Sequence, residues 1–147
     1  MNNFAAATPR WMSMVLWAAA IYNIVWGVWA IFFPLAIFRW AEFEPLPSYP
    51  ELWQCIGMIV GVYGVGYAIA ARDPMRHWPI VMVGWLGKIF GPIGFVQAVW
   101  TERFPMKMGW TIVTNDLIWW VPFTLILLRA LRHHRSLIAG EGNGWKS

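Results

Sequence analysis

Four stretches of this chain are long and almost unbroken in their apolarity: Met12 to Phe33, Glu51 to Ala71, Trp78 to Trp100 and Trp110 to Leu131. About 20 apolar residues in a row suffice to cross the hydrocarbon core of a bilayer. A helix is the form such a segment takes there, because it satisfies its backbone amides and carbonyls internally. Of the 147 residues, 59% are hydrophobic and only 12% charged, too few charges to solvate the outside of a globule. The expected fold is all-α: an integral membrane four-helix bundle, antiparallel and up-down, forming one membrane domain over residues 1–147.

Local chemistry supports the same division. Thr8 and Pro9 fit the start of the first helix and Pro34 its end, since proline suits a first turn and stops an ongoing one. Ser48 followed by Glu51 reads as a capping box for the second helix. Asp73 and Pro74 read as the cap of the third after a tight turn, which would make the second and third helices a hairpin. The longest connection, Leu35 to Pro50, carries Pro45, Pro47, Glu42 and Glu44. The first stretch runs on through Ile21 to Phe33 without a polar break, which suits a retained span better than a cleaved leader.

Orientation follows from the cations. Arg10, Arg72, Arg76, Arg129, Arg132, Arg135 and Lys146 fall on one side, Arg39, Arg103 and Lys107 on the other. The positive-inside bias then places both termini in the cytoplasm. The cluster LRALRHHR would lie at the start of a basic cytoplasmic tail, 132–147, against anionic headgroups. Topology accounts for the net charge of +4, and no nucleic-acid motif accompanies it.

One cation does not belong to either rim. Lys88, in VGWLGKIFGPIGF, lies about 15 Å along its helix from Trp78 at 1.5 Å per residue, near the middle of the bilayer. A lone charge there is disfavoured by at least about 2.5 kcal/mol. Pro92, four residues on, has no amide hydrogen to give the Lys88 carbonyl, so a helix kink with a free backbone oxygen is expected. Gly84, Gly87 and Gly91 surround the lysine, and Gly57, Gly61 and Gly64 share a face of the second helix. Small residues at such spacings allow close approach, and these two helices are expected to pack together.

Asp116 is the one acidic residue inside a span, about 9 Å from Trp110 along the fourth helix, and in an antiparallel pair it comes level with Lys88. Asn115, Asn23 and Tyr63 also fall toward the middle of their helices. The five side chains are candidates for one buried polar layer and ligand site. Such a layer can be structural, a self-neutralised pair fixing the packing, or functional, as intramembrane charges commonly are.

Of the thirteen tryptophans, those at helix ends read as a belt at the headgroup boundary. Trp85, Trp119 and Trp120 lie deeper and are candidates for an aromatic pocket, although lipid-facing or packed positions fit them as well. No catalytic signature is present, no metal site is suggested by three histidines in turn and tail, and no cofactor is expected. The single Cys55 excludes an intramolecular disulfide.

YNIVWG, the segment WQCIGMIVGVYGVGYAIAARDPMRHWPIVMVGWLGKIFGPIGF, and GWTIVTNDLIWWVPF together resemble a family of small four-span bacterial membrane proteins of unassigned function. The resemblance covers residues 22 to 123 and implies a multi-pass protein of the bacterial inner (cytoplasmic) membrane. Similar sequences sometimes carry the label alkyl hydroperoxide reductase. That chemistry needs an activated thiolate and a partner cysteine, and Cys55 has no lysine or histidine nearby in sequence to activate it. The residues fit best a non-catalytic accessory subunit or a protein binding a lipid, quinone or other hydrophobic ligand. The alternatives are a small membrane enzyme acting on a lipid-soluble substrate and, third, a proton-coupled transporter. Expected partners are the bilayer, such a ligand, and a membrane protein or a second copy of the chain.

Overall fold

A computed structural model describes residues 8–143, with side chains as far as Ser136. Among the described residues all regular structure is helical, with no strand. The first three spans are α1 (Arg10–Phe32), α3 (Pro50–Arg72) and α4 (Trp78–Trp100), and a short α2 (Ala36–Trp40) lies between the first two. The fourth is composite: a 3₁₀ turn (Met106–Met108), α5 (Gly109–Ile112), a π turn (Val113–Leu117) and α6 (Ile118–Asn143). Four helical stretches, 10–32, 50–72, 78–100 and 106–136, are long and apolar enough to cross a membrane.

The starts of α1 and α3 differ from the expected caps for one shared reason: a proline or its neighbour takes the capping position. Pro9, in an extended conformation, precedes the first residue of α1, so Thr8 stands one residue too early to cap it. Tyr49 occupies the equivalent place before Pro50 in α3, and the Ser48 and Glu51 capping box does not form. α4 begins only after His77. Asp73 instead closes the turn before it, its Oδ1 accepting from the Arg76 amide at 3.1 Å and its carbonyl from the His77 amide at 3.0 Å.

The longest connection contains α2, where Phe38 has aromatic neighbours on which to fold: Trp53 at 4.9 Å and Phe43 at 5.6 Å between ring centroids. Glu42, after α2, accepts a hydrogen bond from Lys107 Nζ at 2.5 Å. At the other end of the chain, the helix does not stop at Leu131 before a separate tail. It continues through the basic cluster to Asn143, with His134 against Trp78 at 6.3 Å, while Lys146 lies outside the described residues.

The glycine face of α3 packs on α1 and not on α4, which corrects the expected pairing. A Cβ on Gly27 would lie 2.5 Å from the Gly57 carbonyl oxygen and 3.0 Å from the Gly61 amide nitrogen, and one on Gly64 would lie 2.9 Å from the Ala20 oxygen. A run of small residues states that a helix can be approached closely, not by which neighbour. α1 supplies the match through Ala20, Gly27 and Ala30, all buried. Two apolar clusters result. One joins Met12 and Leu16 of α1, Ala70 and Ala71 of α3, Val81 of α4 and Phe123 and Ile126 of α6. The other joins Phe38, Ala41 and Met108, with Trp53 and Phe95 packed against them.

Candidate functional site

Between the two clusters lies the polar layer, and its geometry begins at Pro92. α4 continues as helix through the proline, which leaves the Lys88 carbonyl without its usual intrahelical donor. The oxygen is not free, as the sequence had suggested: the Trp120 indole Nε1 of α6 donates to it at 2.8 Å. A side chain from a neighbouring span thus replaces the missing amide, a common way for membrane helices to accommodate proline.

The lysine side chain crosses to the fourth span at its π turn. Lys88 is buried, 5% exposed, and its Nζ donates to the carbonyl of Asn115. Asp116, 6% exposed, brings Oδ1 within 3.9 Å of Nζ. That separation pairs the charges through space but exceeds hydrogen-bond length. The carboxylate oxygen instead accepts from Asn115 Nδ2 at 3.4 Å. π turns insert an extra residue into a helix and are frequent at functional sites. Here the turn lets consecutive residues serve one lysine, Asn115 through its backbone and Asp116 through its charge.

Lys88, Asp116, Asn115, Asn23 and Tyr63 all line a single cavity of about 160 Å³, together with Tyr67, Gly84, Gly87, Ile59 and Val60. Asn23 of α1 is 3% exposed and its Oδ1 has no hydrogen-bond partner; Asn115 Oδ1 is likewise buried and unpartnered. An ammonium carries three donors. One goes to Asn115, and Asp116 is too far to take another. Of the cavity's lining residues only Ile59, at 57%, and Gly87 are exposed, so the mouth lies between α3 and α4 on the outer face of the bundle. A Cβ on Gly87 would meet nothing within 4 Å. That opening is where the sequence had placed close α3–α4 packing.

Trp85, Trp119 and Trp120 take packed positions, one of the two readings open from sequence, and none of them lines the Lys88 cavity. Trp119 packs against Tyr22 at 5.8 Å and Phe123 at 5.9 Å, with its ring 6.0 Å from Lys88 Nζ. Trp85 Nε1 donates to Thr124 Oγ1 at 3.0 Å, and Trp120 holds the Lys88 carbonyl. Trp85 and Trp120 place their N–H groups on different partners, which draws those two rings apart, while the buried Trp119 Nε1 has no partner. They back the lysine and leave the cavity lining to tyrosines. Tyr67, one helical turn after Tyr63, is the polar lining residue missed from sequence. The spacing of four was its available signal.

Among the described residues no three His, Cys, Asp or Glu side chains group so as to hold a metal ion. The arrangement can hold a polar group rather than a metal: a cation with spare donors faces unpartnered amide oxygens across a space open to the outer face. The chain has no match among family models, curated proteins or solved structures.

Proposed function

We propose that this chain is a non-catalytic, four-span protein of the bacterial cytoplasmic membrane that holds the polar end of a lipid-soluble ligand in the Lys88 cavity. In this reading the spans run antiparallel and up-down with both termini in the cytoplasm. The grouping of the start of α1 with the end of α3, the start of α4 and the later part of α6 supports that topology. The cation bias toward the same side supports the orientation.

The observation that carries the ligand reading is Asn23. A buried amide oxygen with no partner costs about 1–3 kcal/mol. This one borders a cavity that also contains Lys88 and whose mouth meets lipid at Ile59 and Gly87. A layer evolved for packing alone would close on its own donors and acceptors. The bound state would suit either an isolated binding protein or an accessory subunit presenting the ligand to a membrane partner or a second copy.

A small membrane enzyme is the second reading, favoured by the cation and carboxylate that border the same cavity 3.9 Å apart. Native mass spectrometry on protein extracted in a mild detergent tests the first. Gly87→Trp starts a bulky side chain at the mouth, where a Cβ meets nothing within 4 Å. The wild type should carry a small hydrophobic molecule that this variant lacks. Equal occupancy in both would refute the cavity as its site, and chemical conversion of the molecule by the isolated wild type would favour the enzyme.

A further inference from the structure

The composition of the cavity wall narrows what its occupant is. Resting on the binding reading above, we infer that the ligand is a neutral ring bearing hydroxyls, of the quinol class, rather than a phospholipid or a fatty acid.

Charge is the first argument. Lys88 and Asp116 sum to zero whether the proton stays on the amine or passes to the carboxylate, and no other ionisable residue except tyrosine lines the cavity. An anionic head would therefore bring net charge into a low-dielectric site, which is strongly disfavoured. A neutral head does not.

Hydrogen-bond polarity is the second. Asn115 donates its Nδ2 to Asp116, and this fixes its Oδ1 as the free end of the amide. Asn23 Oδ1 and the Asp116 carboxylate are further acceptors on the same cavity. The spare donors belong to Lys88 and to the hydroxyls of Tyr63 and Tyr67. The wall thus asks for a ligand that accepts at one point and donates at another. An ionised fatty acid offers acceptors alone and would leave the amide oxygens unpaired, and phosphatidylglycerol, whose glycerol hydroxyls can donate, is disfavoured by its charge. A quinol satisfies both, since one hydroxyl oxygen can accept from Lys88 while the other hydroxyl donates to Asn23.

Depth is the third. Lys88 lies about 15 Å along its helix from the boundary residue Trp78. A phospholipid headgroup would have to leave the interface to reach it, whereas a neutral ring on an apolar tail can enter sideways past Ile59 and Gly87. The two tyrosines, with ring centroids 6.3 Å apart, offer aromatic faces to such a ring.

The test uses the full chain in nonionic detergent and follows thermal stability and equilibrium binding with four probes: a short-tailed benzoquinone, its quinol, oleate and phosphatidylglycerol. The quinol should bind more tightly than the quinone, which has no hydrogen to donate, and raise the melting temperature, its binding weakened at least about tenfold by Gly87→Trp and by Asn23→Leu, the latter leaving a ligand hydroxyl unpaired. Oleate and phosphatidylglycerol should bind at least about tenfold more weakly to the same site. If oleate or the phospholipid binds more tightly and Gly87→Trp abolishes it, the cavity binds lipid but the neutral-ring assignment is wrong. If no probe binds in a manner sensitive to Gly87→Trp, the ring assignment is overturned. The native mass of the extracted protein then decides the cavity reading by itself. Should Asn23→Leu fail to fold, Gly87→Trp carries the comparison, since a Cβ at that position meets nothing within 4 Å.

Discussion

Replacing Trp120 with phenylalanine keeps an aromatic ring at the helix contact and removes the Nε1 donor that reaches the Lys88 carbonyl at 2.8 Å. That oxygen has no intrahelical replacement, because the residue four positions on is Pro92. Leaving a buried carbonyl unpaired costs about 1–3 kcal/mol, and hydrogen bonds between membrane helices reach about 1.7 kcal/mol at most. The two ranges overlap near 1.5 kcal/mol, which is the expected loss of stability for Trp120→Phe. Pro92→Ala changes the outcome by restoring an amide at that position. In its background the same Trp120→Phe change should cost less than about 0.5 kcal/mol, giving a coupling of about 1 kcal/mol between residues on different spans. Equilibrium unfolding in mixed micelles, followed by far-ultraviolet circular dichroism so that the lost indole does not alter the signal, measures the cycle. Equal costs in the two backgrounds would refute the claim that the indole substitutes for the missing amide.

The glycines of α3 should separate by neighbour rather than by spacing. Gly64→Ala places a Cβ 2.7 Å from Ile24 Cγ1 and 2.9 Å from the Ala20 oxygen, and Gly57→Ala places one 2.9 Å from the Gly27 oxygen. Each should cost about 1–3 kcal/mol in the same unfolding assay. Gly61→Ala meets nothing within 4 Å and should stay within about 0.5 kcal/mol of wild type. Glu42→Gln removes an ion pair whose side chains are 75% and 53% exposed, so its effect should remain below about 1 kcal/mol and fade with added salt.

The spans were readable because length and apolarity alone decide whether a helix can cross a bilayer, and α4 occupies the expected Trp78 to Trp100. The polar layer was readable for a related reason. Depth is a matter of counting residues from a helix end, and Lys88, Asp116, Asn115, Asn23 and Tyr63 counted to the middle and line one cavity. What counting along one helix cannot supply is the neighbour across the gap. The glycines of α3 announced close approach but chose α1, and the opening between α3 and α4 followed from that choice. The Lys88 carbonyl found its donor 32 residues away, at an indole with no local mark of that role. The π turn is equally silent in sequence, since VTNDL has no proline or glycine to betray an inserted residue.

The most direct test of a ligand held by Lys88 is a double-mutant cycle read twice, once for stability and once by native mass spectrometry for the bound molecule. Lys88→Met and Asp116→Asn should each destabilise the protein by about 3–5 kcal/mol, because each leaves a buried charge without its partner. Combined, they should restore most of that stability while the co-extracted molecule is lost, since the donor that holds it is gone. A stable double variant that keeps the molecule at wild-type occupancy would contradict the account and leave the lysine and aspartate as packing elements.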